Sequence, residues 1–589
     1  MRKFVAAILM MAILLSSAFA YSNEQKIYSV DSGVYEAMET LYILAGQSLP
    51  SSSGPWSEAE LQLMLERIDK ASLSDAAQKY YDYVAGMITS EPKLQYDDNL
   101  GMEFGLDLAL EGYYHTNKEF DDYDDWFHSY TDREKFLDFT FETWPTEHFY
   151  GYFELSLSNC IGYDVSKGGT ANLLYANSLN TNLPVVNALL FSQPSNGDIL
   201  ADFDWTFPYR AFVSTGGEHW NFMAGRDKLS WGNGETGNLM LSDSFPRHTL
   251  ARFNTFFNSF KYSLLGTIYP AQNAEESQYD SLDGYKAMIV HRLEFNFFKN
   301  KVGLAVNEAC MFWSSVDEDG TQSFSLAQVN PFGFMHNEYI ARNGNSLLVF
   351  EADYTPIAGV NVYGQFAVDE FSGPGEGRAN TQALGLLAGV KGAMAAGDGI
   401  VTGSFEFVKT DPFLYIRGLH YTEDTDNYAV GYGYDAYFRT ISCDRIILER
   451  MCTTYKYGND VILFDGKVDY EMPGIFKVGF EAMLMKHGSM DINSKWHMYR
   501  DKYEDAPDVS TPTTFNPFDS DDYDTSTNTV KTEHAVEQSI ILSLTGEYKI
   551  LKGLSASAKA DFLIVQNLDN VEGNDQTDVQ ITVGLKYEI

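Results

Sequence analysis

The chain has 589 residues, 82 acidic against 41 basic, and a formal net charge of −41. So acidic a molecule has no basic face with which to neutralise phosphates, which excludes nucleic acid as a partner. Mean hydropathy is −0.24 and no internal apolar run is long enough to cross a bilayer as a helix, which excludes a helical membrane protein but not a barrel of alternating strands.

In chain order, Arg2 and Lys3 precede an apolar run over residues 4–15, and Ala18-Phe19-Ala20 supplies small residues for cleavage. Residues 1–20 read as a secretory signal peptide removed after Ala20. Residues 21–98 then read as a small helical domain. A first helix spans residues 34–45 and stops at Gly46. Ser57-Glu58-Ala59-Glu60 forms a capping box ahead of Leu61, Met64, Leu65 and Ile68, which share one helical face. A third helix covers residues 74–88. Three short amphipathic helices make a bundle that must dock on something else; a helical dimerisation module is the alternative.

From Glu103 onward the hydrophobic period becomes two. Phe104, Leu106, Leu108 and Leu110 alternate with Glu103, Asp107 and Glu111, and the pattern recurs at Phe476, Val478 and Phe480 and at Leu554, Ala556 and Ala558. Roughly 16 to 18 such segments of about 10 to 15 residues fit tilted strands that cross a bilayer. Very short turns are expected at residues 145–147, 216–217, 299–301, 355–356, 396–399, 472–474 and 552–553. Between them lie long polar loops such as 166–196, 314–346 and 489–534. Short turns at one end and long loops at the other are the plan of an outer-membrane barrel. The final strand puts Val579, Ile581, Val583, Leu585, Tyr587 and Ile589 on one face. Exposed to water, such an apolar edge would aggregate. The expected fold is therefore mainly β: residues 99–589 form a large antiparallel transmembrane β-barrel of about 18 strands, with a small N-terminal α-helical periplasmic domain. Its expected partners are outer-membrane lipid and the barrel-assembly machinery.

Sites are harder to read. Four cysteines, Cys160, Cys310, Cys443 and Cys452, include no C-x-x-C pair, which disfavours zinc or dithiol chemistry. Cys443 and Cys452 are spaced to bridge one hairpin in an oxidising compartment, while Cys160 and Cys310 suit small apolar fillers. Neither G-x-S-x-G nor H-E-x-x-H occurs, so no catalytic residues are assigned. Asp369 and Glu370 end a strand as a carboxylate pair, to be weighed against a solvated loop start or arginine partners in the lumen. His291 suits a lumen or structural role, and Gly-rich residues 373–378 suit an outer loop. No cofactor is expected beyond Ca2+ in the acidic loops 119–126 and 518–524, whose aromatics and carboxylates equally suit a pyranose.

One stretch stands apart: "RDKLSWGNGETGNLMLSD", residues 226–243. Gly232, Gly234 and Gly237 allow close backbone approach, Trp231 can anchor a folded-in segment, and Arg226 and Lys228 are rare positives able to pair with lumen carboxylates. "WGNG" followed by "GNLMLSD" resembles the WGPG-x(n)-SLILS signature of Wzi-type capsule-assembly proteins of the outer membrane, with Asn233 where that family tends to have Pro. "HRLEFNFFKNKVGLAVNEACMF", "VNPFGFMHNEY", "EADYTPIAGVNVYGQFAVDEF" and the early "GPWSEAEL" are similar to the same family in the same order. The resemblance implies a large barrel with a periplasmic helical bundle. It also implies a lectin-like, non-enzymatic role in binding or organising surface (capsular) polysaccharide. For residues 226–243 a structural loop inside the lumen is the favoured role, with ligand binding by Arg226, Lys228 and Trp231, and by Asp369 and Glu370, as the alternative. A porin or substrate channel is the main rival function.

Overall fold

The computed structural model describes residues 24–88, 94–96, 100–117, 134–159, 161–164, 169–172, 185–186, 203–204, 210–245, 247–270, 284–315, 344–371, 382–416, 432–439, 446–492, 494, 509–524 and 526–589. The predicted signal peptide with Ala20, Cys160, Cys443 and loops 119–126 and 373–378 lie outside them.

Eighteen strands alternate up and down. They begin with β1 (Leu100–His115), β2 (Leu137–Thr146), β3 (Phe149–Asn159), β4 (Ala211–Gly217), β5 (Trp220–Asp227) and β6 (His248–Phe257). There follow β7 (Phe260–Pro270), β8 (Gly284–Phe297), β9 (Val302–Ser315), β10 (Gly344–Ile357), β11 (Val360–Glu370) and β12 (Ala383–Ala396). The last six are β13 (Gly399–Thr410), β14 (Val461–Met472), β15 (Phe476–His487), β16 (Glu537–Leu551), β17 (Leu554–Gln566) and β18 (Gln576–Glu588). Each pairs antiparallel with its neighbours, and β18 returns to β1 with Gln580 opposite His115 and Glu588 opposite Asp107. Closure leaves no edge, the condition for backbone to cross hydrocarbon.

The period of two sorts the side chains. On β18, Ile581, Val583, Leu585 and Tyr587 face outward and are exposed, while Asp578, Gln580 and Thr582 between them are buried. The same outward row continues through Phe104, Phe222, Phe253, Phe350, Phe366, Phe405, Phe480 and Leu544. Trp220, Phe257, Phe297, Tyr354, Tyr548 and Tyr587 gather near the short-turn end, where aromatic rings suit the interface. Short turns mark the periplasmic side. One of them is displaced: β10 runs through Thr355 and Pro356 to Ile357, with a register shift after Tyr354, and the chain reverses at Ala358 and Gly359. Pro356 is tolerated because a bulge asks no ladder N–H of it. Gly359, at φ 89°, makes the turn, and its N–H donates to the Ile43 carbonyl at 2.8 Å.

Three helices cover this end: α1 (Val34–Ala45), α2 (Glu58–Glu66) and α3 (Asp75–Ile88). Gly46 caps α1 at φ 70° and Ser57 caps α2 by accepting from the Glu60 N–H, both as the residues indicate. The capping box is only half made, because the Glu60 carboxylate leaves its helix to pair with Lys261 of β7. Met38, Leu41, Leu61, Met64, Tyr80 and Val84 form the small core of this bundle. It is fastened to the periplasmic turns: Ser48 N–H to Asn300 O at 2.6 Å, Arg67 Nη2 to Phe257 O at 2.8 Å, and Lys477 to Glu36.

Inside, the lumen has two layers. Towards the outer face, Met288, Val290, Met311, Leu347, Val349, Leu387, Val408, Leu463, Ile541 and Leu563 are buried in one apolar core. Towards the periplasm the inward positions are Lys261, Arg292, Glu294, Glu351, Asp353 and Lys391. On β16 the inward Thr545, Glu547 and Lys549, towards the periplasm, are exposed, whereas Ser543 and Ile541 above them are buried.

Neighbouring residues at the middle of β16 test this sorting. Leu544→Arg, on the outward face, is expected to cost about 2–4 kcal/mol of stability in lipid vesicles, whereas Thr545→Arg, facing the wet lumen, costs less than about 1. Equilibrium refolding titrations into vesicles measure both, and equal effects would contradict a lipid-facing outer row.

Candidate functional site

The fold brings two segments together inside the barrel. After the short β5, the chain turns inward at Lys228 instead of continuing to the outer face. Ser230 and Trp231 pair antiparallel with Gly54 and Ser53 of the α1–α2 connection. Trp231 is fully buried, its indole N–H donates to Gly54 O at 3.1 Å, and the Gly232 N–H donates to Ser52 O at 2.7 Å. Gly232 sits at φ 139°, and a Cβ there would lie 2.2 Å from Asn238 Oδ1 and 2.6 Å from Gln365 Nε2. Only glycine fits. Asn233 is used as well, accepting from Gln365 Nε2 at 3.2 Å.

Beyond the turn, Leu239, Met240 and Leu241 enter the apolar layer, where Tyr415 OH donates to Leu239 O at 3.0 Å and Thr453 O accepts from the Ser242 N–H at 3.2 Å. Glu406 of β13 holds the bend by accepting from the Glu235 and Thr236 N–H groups at 2.9 and 3.0 Å and from Tyr363 OH at 2.7 Å. Lys391 of β12 bridges Glu235 at 2.7 Å and Glu39 of α1 at 2.8 Å, tying wall, loop and helix at one point. Burial pushes the Glu39 carboxyl up despite Lys391, whereas for Glu235 burial is opposed by Lys391, Lys467 and Lys477, which together hold its carboxyl low.

The α1–α2 connection lies in the polar layer. Asp353 accepts from the Leu49 N–H at 2.8 Å. Arg292 pairs with Glu351 at 2.5 Å and Glu294 at 2.8 Å, and its Nη2 donates to Ser52 Oγ. Lys261 reaches Ser51 Oγ at 2.9 Å and Ser53 O at 3.0 Å besides Glu60. Burial drives the Glu60 carboxyl upward, opposed by Lys261.

The predicted site residues have separate fates. Trp231 and Lys228 are in this assembly, Lys228 reaching Asp31 of the helical domain at 2.8 Å. Arg226 alternates with the inward Met223 and Asp227 onto the other face of β5, and the lumen carboxylate Asp227 is met by Arg210 at 2.5 Å instead. Asp369 is buried and accepts from the Tyr415 N–H at 2.8 Å, anchoring residues 411–416; Glu370, half-buried, ends β11. His291 lies on the outer wall rather than in the lumen, with Nδ1 2.9 Å from Tyr262 OH. Cys452 is a buried thiol 2.9 Å from Thr454 Oγ1, packed in the tyrosine-rich core, while Cys443, its predicted partner, lies outside the described residues. In loop 518–524, Asp522 is occupied by the Asn516 N–H and His534. Among the described residues no three His, Cys, Asp or Glu side chains converge as a metal site. Arg292, Glu294, Glu351, Lys261, Glu60 and Lys391 were missed. Their only sequence signal is charge at every second position of an otherwise membrane-like strand, as in "HRLEF".

Trp231→Ala is expected to lower stability by about 3–5 kcal/mol. Trp231→Phe, which keeps most of the packing but loses the bond to Gly54, costs about 1–2. Denaturant unfolding in micelles distinguishes them, and a neutral alanine variant would contradict an anchoring role.

No family model and no curated protein sequence matches the chain. Among solved structures it is similar to Wzi of Escherichia coli, a carbohydrate-binding outer-membrane β-barrel involved in group 1 capsule assembly. The TM-score is 0.54 and the identity 12 %, over 95 % of this chain and 98 % of that one. It is also similar, at a TM-score of 0.35, to the outer-membrane channel DcaP of Acinetobacter baumannii, with 8 % identity over 85 % of this chain and 100 % of that one. OprD of Pseudomonas aeruginosa has the same score, with 11 % identity over 82 % and 95 % of the two chains. Only the first likeness is close enough to bear on the fold. The chain folds as a Wzi-type, 18-stranded barrel of the bacterial outer membrane, with helices across its periplasmic mouth.

Proposed function

We propose that the protein is a non-catalytic attachment barrel that holds surface polysaccharide at its outer face. The observation that carries this reading is the filled lumen. The folded-in loop and the α1–α2 connection meet inside the barrel, and an apolar layer lies above them. A porin requires a continuous wet path; here Ile541 and Leu563, on the inward face above the exposed Thr545, are buried. That favours attachment over passage.

The outer loops have suitable chemistry. Phe515 lies half-buried on the buried Tyr523 with centroids 5.5 Å apart, Phe518 lies half-buried edge-on to the buried Phe413, and Asp519 and Asp521 beside them are exposed. Rings that can face a pyranose, next to carboxylates that accept its hydroxyls, are the elements of a sugar site. Asp460 braces this region by accepting from the Met490 N–H at 3.1 Å and the Thr513 N–H at 3.0 Å, so it is held ready rather than ordered on binding. The shared fold with a carbohydrate-binding barrel supports the same assignment.

Two measurements on the full chain test it. In planar bilayers the protein is expected to give no steady conductance. On capsular polysaccharide immobilised from an encapsulated host it is expected to bind, with Asp519→Asn/Asp521→Asn weakening binding at least about tenfold, as lost charge-assisted hydrogen bonds imply. Steady open-channel currents without polysaccharide binding would favour the porin instead.

A further inference from the structure

The turn between β8 and β9 departs from the other short turns of the periplasmic end. Gly359, Gly397, Gly474 and Gly553 take the left-handed position in the turns after β10, β12, β14 and β16. After β8 that conformation falls on three residues in succession, Phe298, Lys299 and Asn300, at φ 54°, 57° and 61°. Asparagine tolerates it, but a bulky aromatic residue adopts it only under strain. The shape is held from the inner side. The Lys301 N–H donates to Phe297 O at 3.0 Å, and the Ser48 N–H of the helical domain donates to Asn300 O at 2.6 Å.

The outer side of the turn is bare. Phe298 is 78 % exposed, more than any other large apolar side chain among the described residues. Its ring centroid lies 6.4 Å from that of Phe297, which lies 6.0 Å from Phe295, itself 5.3 Å from Phe260. Phe295 and Phe297 alternate with Arg292, Glu294 and Asn296 onto the outward face of β8, so Phe298 carries the lipid-facing aromatic ladder one step past the end of the strand. The neighbouring turn, joined by the Thr355 N–H to Lys301 O bond at 3.0 Å, adds Ile357, 63 % exposed. Lys299 and Lys301 flank the ring and are exposed; neither forms an ion pair with a described carboxylate, and Lys301 Nζ lies 3.4 Å from Pro356 O. A phenyl ring held under strain in water is inferior to the glycine of the other turns, whereas in lipid its burial offsets the strain. Lysine stems can lie along the same apolar surface while their ammonium groups reach headgroup phosphates.

We propose that the β8–β9 turn is a lipid anchor: Phe298, with Ile357, inserts into the periplasmic leaflet, and Lys299 and Lys301 hold the phosphate of an anionic phospholipid there. The occupant follows from continuity with the lipid-facing wall and from charge, two adjacent cations on a chain of net charge −41. Because Ser48 holds the same turn, the anchor also ties the helical domain to the membrane plane. It does not depend on what the outer loops bind.

The test refolds the full chain into phosphatidylcholine vesicles that contain brominated lipid, and reads the indole added by Phe298→Trp as the fluorescence difference from the wild type. Bromines near the headgroup end of the acyl chains are expected to quench it, and acrylamide in the water to leave it nearly unchanged. At equal mole fraction, brominated phosphatidylglycerol should quench about twofold more than brominated phosphatidylcholine, and Lys299→Gln/Lys301→Gln in the same chain should abolish that preference. Ile357→Trp, read in the same way, keeps the test decisive if Phe298→Trp does not fold. Quenching by acrylamide without quenching by lipid would put the turn in water and overturn the anchor. Protection from both would mean that protein covers the turn, and would overturn it too. Equal quenching by the two lipids would overturn the phosphate assignment.

Discussion

The structure depends on one constraint: one face of an eighteen-strand wall meets hydrocarbon, and nothing charged is cheap there. A chain with 82 acidic residues must therefore put its charge at the two ends or inside. On β18 the solution is plain, with Ile581, Val583 and Leu585 outward and Asp578, Gln580 and Thr582 inward. Closure through β18 and β1 then follows, because an open edge would leave unpaired N–H and C=O groups in lipid.

Charge pushed inward has to be dealt with in turn, and the two lumen layers deal with it differently. In the outer half, from β8 to β17, many inward positions are apolar and need something to pack against; Trp231, Leu239 and Tyr415 supply it from folded-in loops. In the periplasmic half inward positions are charged and need partners of opposite sign or hydroxyls. Those come largely from the N-terminal segment, through Glu39, Glu60 and the serines at 51–53. The helical domain is thus both cover and counter-charge. Removing it would leave Lys261 and Lys391 each short of a buried carboxylate, an expensive state.

Much of this was legible in the residues. The period of two, the short turns, the Gly46 stop and the Ser57 cap all depend on local rules, and the 18 strands and three helices agree with them. The Gly-Trp-rich stretch at 226–243 was legible as a lumen loop because glycines and a lone Trp in a stranded region imply close packing. What it packs against was not legible: Ser230 and Trp231 pair with a segment some 180 residues earlier, and no periodicity encodes such a pairing. Glu60 shows the same limit. Its position predicts a reciprocal cap, but a lysine on a distant strand is a stronger partner for a buried carboxylate than a helix N–H.

The two layers also bear on why a filled barrel should keep so polar a base. If the protein served only to present loops to the exterior, selection for stability would favour extending the apolar layer downward, as ion pairs seldom stabilise as well as packed hydrocarbon. Instead, Arg292, Glu294, Glu351, Lys261 and Glu60 crowd around three serines, and one Glu60 oxygen stays unpaired. The water-accessible inward face of β16 shows that the periplasmic half is not closed to solvent everywhere. The barrel is therefore asymmetric across the membrane: an apolar cluster packs beneath its outer loops, and charged, partly exposed side chains line it toward the periplasm.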